Sequence, residues 1–304
     1  QNFSMINTKS IEVSGDINGE SLSAESILAI GSEKDLTINE NSGYEQFVID
    51  TAQNLFRKVS TLISKKKPCI IWFSEHNRDN FKRLSFLTRR PVMEGTPTVI
   101  FILHDKAEKF NIKVSRETEE QPLTNVIGVL PGKSRKDEFV VFSAHYDHLG
   151  IGKPDATGDS IYNGANDDAS GTTAVIMLAK YFKALNNNER TIIFVTFTAE
   201  EIGGFGSQYF SRHIPSDRVV AMFNIEMIGT DSKWGKNSAY ITGFEKSDFG
   251  KILQKNLSGS KFHFEPDPYP QQQLFYRSDN ATLAALGVPA HTISTSKMDN
   301  EPHY

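Results

Sequence analysis

Three apolar runs in this chain each end in side chains that can bind a metal. Phe139–Phe142 leads into Ser143-Ala144-His145-Tyr146-Asp147-His148-Leu149-Gly150, Arg190–Thr198 into Ala199-Glu200-Glu201, and Val219–Ile225 into Glu226. A fourth stretch, Asn163-Gly164-Ala165-Asn166-Asp167-Asp168-Ala169-Ser170-Gly171, packs two carboxylates into a turn of small residues. Each feature alone has an ordinary explanation, since Asp before a helix is a common N-cap and a Glu pair commonly faces solvent. Together they gather at least one imidazole and four carboxylates. Burying that much negative charge without compensation costs many kcal/mol, so a cation is expected. The one cysteine, Cys69, lies in a separate apolar run, so thiolate clusters are excluded and any metal is held by His, Asp and Glu. Such a donor set suits Zn²⁺, with Mn²⁺ or Co²⁺ as alternatives. Five or more donors exceed one tetrahedral shell, which points to two ions sharing a carboxylate at a spacing of about 3.5–4 Å. Paired ions activate water and polarise a carbonyl, and a free carboxylate beside them acts as general base. Glu200-Glu201 supplies one base and one ligand.

These residues need a scaffold that brings strand ends together. Phe139–Phe142 reads as a strand buried on both faces of a mainly parallel sheet, which puts His145 and Asp147 at its carboxyl end, where open α/β sheets bind ligands. After Gly171, the stripe Ala174, Leu178, Tyr181, Phe182 and Leu185 predicts a helix. A later helix over Asp279–Leu286 leads through Gly287 into a last strand, Pro289–Ser294. Leu123–Gly132 reads as a strand ending in a Pro-Gly turn, followed by a charged hairpin tip over Lys133–Glu138.

The first part of the chain carries no comparable chemistry. Residues 1 to about 40 are polar and read as peripheral strands and turns. Val48, Ala52, Leu55, Phe56, Val59, Leu62 and Ile63 predict a helix over Tyr44–Lys66, closed by Lys65, Lys66 and Lys67 and stopped by Pro68. Cys69–Phe73 and Thr98–Leu103 read as buried strands, with a basic loop containing Arg89 and Arg90 between them. The expected division is residues 1–122 and 123–304.

Composition narrows the function classes. The 304 residues are 38% hydrophobic with a formal net charge of −4. Nucleic acid is not an expected partner, and no apolar run approaches the ~18 residues of a membrane span. The sequence opens at Gln1 without a leader, which predicts a processed form of a longer product and leaves secretion open.

Taken in order, Asn125–Gly132, Ser143–Gly150, Tyr162–Gly171, Phe197–Ser207, Asn224–Gly229 and Gly287–Ala290 resemble the motifs of metallopeptidase family 28, the di-zinc aminopeptidases of the Zn-dependent exopeptidase fold. The resemblance implies an α/β fold with a mixed, mainly parallel central sheet and helices on both faces, plus a smaller N-terminal α/β module similar to a protease-associated insert. It implies a metallo-aminopeptidase that hydrolyses N-terminal residues of peptides with a free N-terminus, in a secreted, periplasmic or cell-surface setting. It makes His145 a ligand of one zinc with Asp147 behind it, Asp167 the bridge, Glu200 the general base, Glu201 a ligand of the other zinc, and Glu226 a ligand of the zinc shared with His145. Family members more often have Asp at the last position. A cis peptide between Asp167 and Asp168 is also implied.

The family's final ligand is a His directly after an aromatic residue. Tyr304 matches that aromatic residue, which steadies the oxyanion, so it joins Glu200 as a catalytic candidate and the His is expected beyond it. His303 precedes Tyr304 and, in an extended segment, faces away from it, so it is not assigned. Two zinc ions per active site are expected, the second weak in the 304-residue form. Two rival readings are a glutaminyl cyclase of the same fold, disfavoured by Glu200 beside Glu201 and the intact His-x-Asp, and a non-catalytic binding homologue, disfavoured because His145, Asp167, Glu201 and Glu226 are all present.

Overall fold

Apolar runs of strand length and period-two alternation build most of the molecule. The computed structural model describes residues 1–50 and 53–299, and the chain divides into two units, Phe3–Pro122 and the part from Leu123 onward together with Gln1–Asn2. In the first unit, Asn2–Ile17 is a long strand inside a five-stranded sheet, between Glu20–Ser21 and Phe110–Thr124. It is therefore central where the polar composition predicts a peripheral element: alternate residues such as Phe3, Met5 and Ile17 are buried while polar ones face out. A second sheet runs Ile27–Ile30, Val99–Leu103, Cys69–Phe73, Glu45–Ile49. Ile70, Trp72, Ile100 and Ile102 pack with Ile38 and Ile112 of the first sheet, and Ile71, Phe73 and Phe101 pack with Leu55, Val59 and Phe81.

The helix expected over Tyr44–Lys66 is two elements. Glu45–Ile49 is a strand parallel to Cys69–Phe73, with Phe47 opposite Ile71, and the helix covers Leu55–Ser64. Val48, which seeds the helical spacing, is 52% exposed, whereas Ile49 is buried by sheet pairing. The span that links the two includes residues outside the described ones. The segment expected as a basic loop around Arg89 and Arg90 is helical over Arg78–Arg83 and Leu84–Arg89, because Phe81 and Leu84 bury one stripe and leave the basic side chains outward.

The second unit is organised by a seven-stranded sheet. Its strands are β1 (Val126–Leu130), β2 (Arg135–His145), β3 (Arg190–Phe197), β4 (Val219–Ile225), β5 (Ser238–Ile241), β6 (His263–Pro266) and β7 (Ala290–Ser294). The order is β1-β3-β2-β4-β7-β5-β6. β3, β2, β4 and β7 are mutually parallel, while β1 and β5 pair antiparallel to β3 and β7. The expected hairpin between β1 and β2 does not form, since β3 lies between them. Pro131-Gly132 crosses the start of β3 instead, so close that a Cβ on Gly132 would lie 2.4 Å from the Glu189 carbonyl oxygen.

Alternation along β3 divides the core. Ile192 and Phe194 face helix α1 (Gly171–Leu185) through Val175, Leu178 and Phe182, and Ile193, Val195 and Phe197 face Phe210 of α2 (Phe205–His213) and Leu283 of α3 (Asn280–Ala284). Helices thus cover both faces of a mainly parallel sheet. Tyr181 and Leu185, expected in the apolar stripe of α1, are 59% and 45% exposed. This layering leaves the carboxyl ends of β2, β3 and β4 side by side at one edge.

Candidate metal centre

His145 is the last residue of β2 and is 1% exposed. Its Nδ1 lies 3.0 Å from the backbone oxygen of Asp147, to which it donates in the tautomer that frees Nε2. That Nε2 is 3.0 Å from Asp167 Oδ1, yet neither atom has a hydrogen-bond partner. At that distance, without hydrogen-bond alignment, the buried nitrogen and carboxylate oxygen form an ion pair when the ring is protonated and are arranged like two donors to a common cation when it is neutral. Glu226, directly after β4, completes a group with His145 and Asp167 in which one donor atom from each lies within 4.8 Å of the others. Its Oε2 accepts from Asn224 Nδ2 and from the Ser278 hydroxyl.

Asp167 and Asp168 divide the two roles open to an acidic pair before a helix. Asp168 does the capping: its Oδ1 accepts Gly171 N–H at 3.0 Å and Met227 N–H at 3.2 Å, and its Oδ2 accepts His145 N–H at 3.2 Å. One 1%-exposed carboxylate therefore ties together the end of β2, the start of α1 and the segment after β4. The bond between Asp167 and Asp168 is cis. Gly171 is required by closeness, because a Cβ there would meet the Ile225 carbonyl oxygen at 2.1 Å and Asp168 Oδ1 at 2.5 Å.

Glu200 and Glu201 follow β3 in a turn pinned from two sides. The Asp147 side chain accepts both of their backbone N–H groups. Asn125, buried ahead of β1, accepts Thr198 N–H and donates to Gly206 O, which fixes the loop between β3 and α2. Ala199 and Met227, next to Glu200 and Glu226, hold left-handed φ values of 58° and 54°. Such backbone costs ~1–3 kcal/mol per residue and is found where function aims a side chain. Glu201 joins His148 and Asp167 in a second donor group, with His148 Nδ1 2.7 Å from Glu201 Oε1. The two groups share Asp167, and Glu200 belongs to neither.

The field of these acids is severe without a cation. Burial pushes the Glu200 carboxyl up to about 9, with Glu226 and Asp279 adding to it, and burial likewise lifts Glu226 to about 7. Burial opposes charge on His145, but Asp167, Glu226, Asp168 and Asp279 outweigh it and carry its pKa up to about 12. A proton held that tightly is doing a cation's work. Hard oxygen donors, imidazole nitrogen and unpartnered buried atoms fit a divalent metal such as Zn²⁺.

His145, Asp167, Glu200, Glu201 and Glu226 are thus brought to one edge, with Asp147 behind the Glu pair more than behind His145: its carboxylate is 3.8 Å from His145 Nδ1, and the backbone oxygen makes the contact. Tyr304 and His303 lie outside the described residues. His148 and Asp279 were not singled out from the sequence. The signal for His148 was its place three residues after His145 in the same turn. Asp279 had none, being an Asp before a short helix whose complete burial, which lifts its carboxyl to about 6, only the fold reveals.

A family model described as peptidase family M28 matches residues 125–304. The chain is 32% identical over 122 residues to aminopeptidase YwaD of Bacillus subtilis (strain 168), covering 39% of this chain and 24% of that protein. It is 27% identical over 207 residues to leucine aminopeptidase 1 of Paracoccidioides brasiliensis (strain Pb03), covering 64% of this chain and 51% of that protein. The chain therefore spans well under two thirds of these relatives. An aminopeptidase from Aneurinibacillus sp. strain AM-1 aligns with a TM-score of 0.51 at 18% identity, covering 100% of this chain and 76% of that one, a likeness of fold. The motifs that fill the matched span are those whose side chains meet at the edge of β2, β3 and β4, and the chain belongs to peptidase family M28.

Proposed function

We propose that this chain is the catalytic part of a zinc-dependent aminopeptidase that removes N-terminal residues from peptides with a free N-terminus. The observation that carries the proposal is the pair of donor groups sharing Asp167, with Glu200 beside them and in neither. In this reading His145, Asp167 and Glu226 hold one ion, and Asp167 and Glu201 belong to a second. Bound zinc supplies Lewis acidity toward the scissile carbonyl and toward water. Glu200 takes the proton from the attacking water and returns it to the leaving amine. With no cation, Glu200 keeps its own proton up to about 9; positive charge at Asp167 and Glu226 lowers that value toward neutrality, where a general base works best. Ser278 and Asn224 hold the Glu226 carboxylate, and Asp147 holds the backbone of the Glu pair.

A cavity of about 140 Å³ opens beside the acids, lined by Met227, Tyr240, Leu274 and Met298 among others. Placement outside the cytoplasm belongs to the proposal.

The test is hydrolysis of an aminoacyl nitroanilide by the purified chain, with its N-acetylated counterpart as control. Phenanthroline should abolish hydrolysis and added Zn²⁺ restore it. Equal cleavage of the acetylated substrate, or full activity in metal-free protein, would refute the reading.

A further inference from the structure

We propose that the helical face of the first unit docks on an anionic lipid surface, its basic side chains meeting headgroup phosphates and two exposed phenylalanines entering the boundary beneath them. The proposal is independent of the peptidase site. Residues 55–90 hold ten Lys and Arg against two acids, Glu75 and Asp79, an excess of eight positive charges in a chain whose formal net charge is −4. The remainder of the chain therefore carries −12, so positive charge is concentrated in this one stretch. All ten cations are exposed. Of the two acids, Glu75 is paired with Arg78.

The fold turns these side chains outward together. The helix Leu55–Ser64 and the helical segments Arg78–Arg83 and Leu84–Arg89 pack on one side of a sheet, setting Leu55, Val59, Phe81 and Leu84 against Ile71, Phe73 and Phe101. The apolar positions are used inward, which leaves the cations on the outer side. Arg83 lies 5.0 Å over the Phe56 ring and so bridges the two helical layers, and Arg90 lies 4.9 Å over the Phe86 ring. Phe56 and Phe86 are 38% and 46% exposed. Each pair sets an apolar ring beside a guanidinium at the surface. A bilayer interface takes both at once, the ring toward the acyl boundary and the cation to the phosphate. Clustered Lys and Arg are drawn to anionic leaflets. Because electrostatic forces fade within a Debye length of about 8–10 Å, acidic groups farther away than that do not cancel the attraction. A soluble polyanion such as nucleic acid instead tracks a groove and stacks its bases on open aromatic faces. Here both rings lie under guanidinium groups, and cations spread over two neighbouring helices match a plane better than a strand. No described helix is long and apolar enough to cross a membrane, and docking of this kind requires none.

The test is co-sedimentation of the purified chain with vesicles of phosphatidylcholine alone and of phosphatidylcholine mixed with phosphatidylglycerol, at low and at high salt. Binding to the anionic vesicles only, and its loss at high salt, are expected. This comparison needs no variant to fold. At about five-fold per cation near the surface, Lys82→Gln/Arg83→Gln/Arg90→Gln should bind on the order of 100-fold more weakly. Lys251→Gln/Lys255→Gln/Lys261→Gln removes the same charge from exposed positions of the other unit and should bind like the wild type. Phe56→Ser/Phe86→Ser should weaken binding about ten-fold or more while leaving it salt-dependent. Equal binding to neutral vesicles, no binding to anionic ones, or equal losses in the two charge variants overturns the proposal. Tight binding of a heparin fragment that the first variant loses and the phenylalanine pair does not affect overturns it in favour of a soluble polyanion.

Discussion

The Asp147 carboxylate accepts the backbone N–H of Glu200 at 3.1 Å, linking the turn after β2 to the turn after β3. Its other oxygen takes the N–H of Glu201 at 3.3 Å, while its backbone oxygen meets His145 Nδ1 at 3.0 Å. Side chain and backbone therefore serve different partners. Asp147→Ala removes both contacts to the Glu pair and leaves the contact to His145 in place. Loss of such supporting partners typically costs 10–100-fold. The expected outcome is a kcat lowered by about that factor, with the site built on His145, Asp167 and Glu226 keeping its zinc affinity. An Asp147→Ala enzyme that lost both metals would show that the side chain supports His145 after all.

The paired glutamates should separate cleanly. Glu200→Gln removes a proton acceptor that lies outside both donor groups, so turnover should fall by roughly two to four powers of ten at unchanged zinc content. Glu201→Gln removes a charged donor, so zinc affinity should fall. Metal analysis beside steady-state kinetics decides the point, and exchanged phenotypes would reverse the two roles.

Much of this site was legible because the strands at the sheet edge are apolar until they stop. His145, Glu200 and Glu226 each come after such a run, and parallel pairing of β2 with both β3 and β4 brings those ends together. Asp167 and Asp168 were legible only as a pair, since sequence spacing cannot say which carboxylate turns inward to cap α1 and which meets the His145 imidazole. Asn125 reads as a polar residue before a strand, and its clamp on Thr198 and Gly206 depends on partners 73 and 81 residues away. Residues 45–49 were misread for a related reason. Val48 fits a helical period with Leu55 and Val59 and also lies in the short apolar run Phe47–Ile49 that suits a strand, and the choice is made by pairing with Cys69–Phe73. Long-range pairing is what local periodicity does not contain.

Gly171 tests the closest packing in the centre. Adding a methyl group places it 2.1 Å from the Ile225 carbonyl oxygen and 2.5 Å from Asp168 Oδ1, neither of which is the far end of a flexible side chain. The start of α1 must then move away from β4. Overpacking of this kind costs about 1–3 kcal/mol, occasionally more. Gly171→Ala should lower the Tm by roughly 2–12 °C for a unit of this size and weaken zinc binding as Asp167 shifts with the helix start. A Tm within about 1 °C of wild type would mean that the helix start is not held against β4.

The stability of the metal-free protein should depend on pH in a direction set by the buried acids. Glu200, Glu226 and Asp279 are raised to about 9, 7 and 6, chiefly by burial, so the folded chain holds protons that the unfolded chain releases above about pH 4–5. Each contributes stability that is complete below its unfolded pKa and is lost as pH climbs through the folded one. His145, raised to about 12, acts in the same direction above its unfolded value near 6.5. The Tm of the metal-free form should therefore fall steadily from pH 5 to pH 9. Zinc favours the ionised carboxylates and neutral imidazole, so it removes the proton uptake that causes the fall, and the Tm of the loaded form should instead rise from pH 5 toward pH 7, where unfolded histidine loses its proton, and level off above it. The gap between the two curves should widen toward alkaline pH. Scanning calorimetry of both forms at pH 5, 7 and 9 provides the check, and a metal-free Tm that rises over this interval would show that these acids do not share one unscreened site.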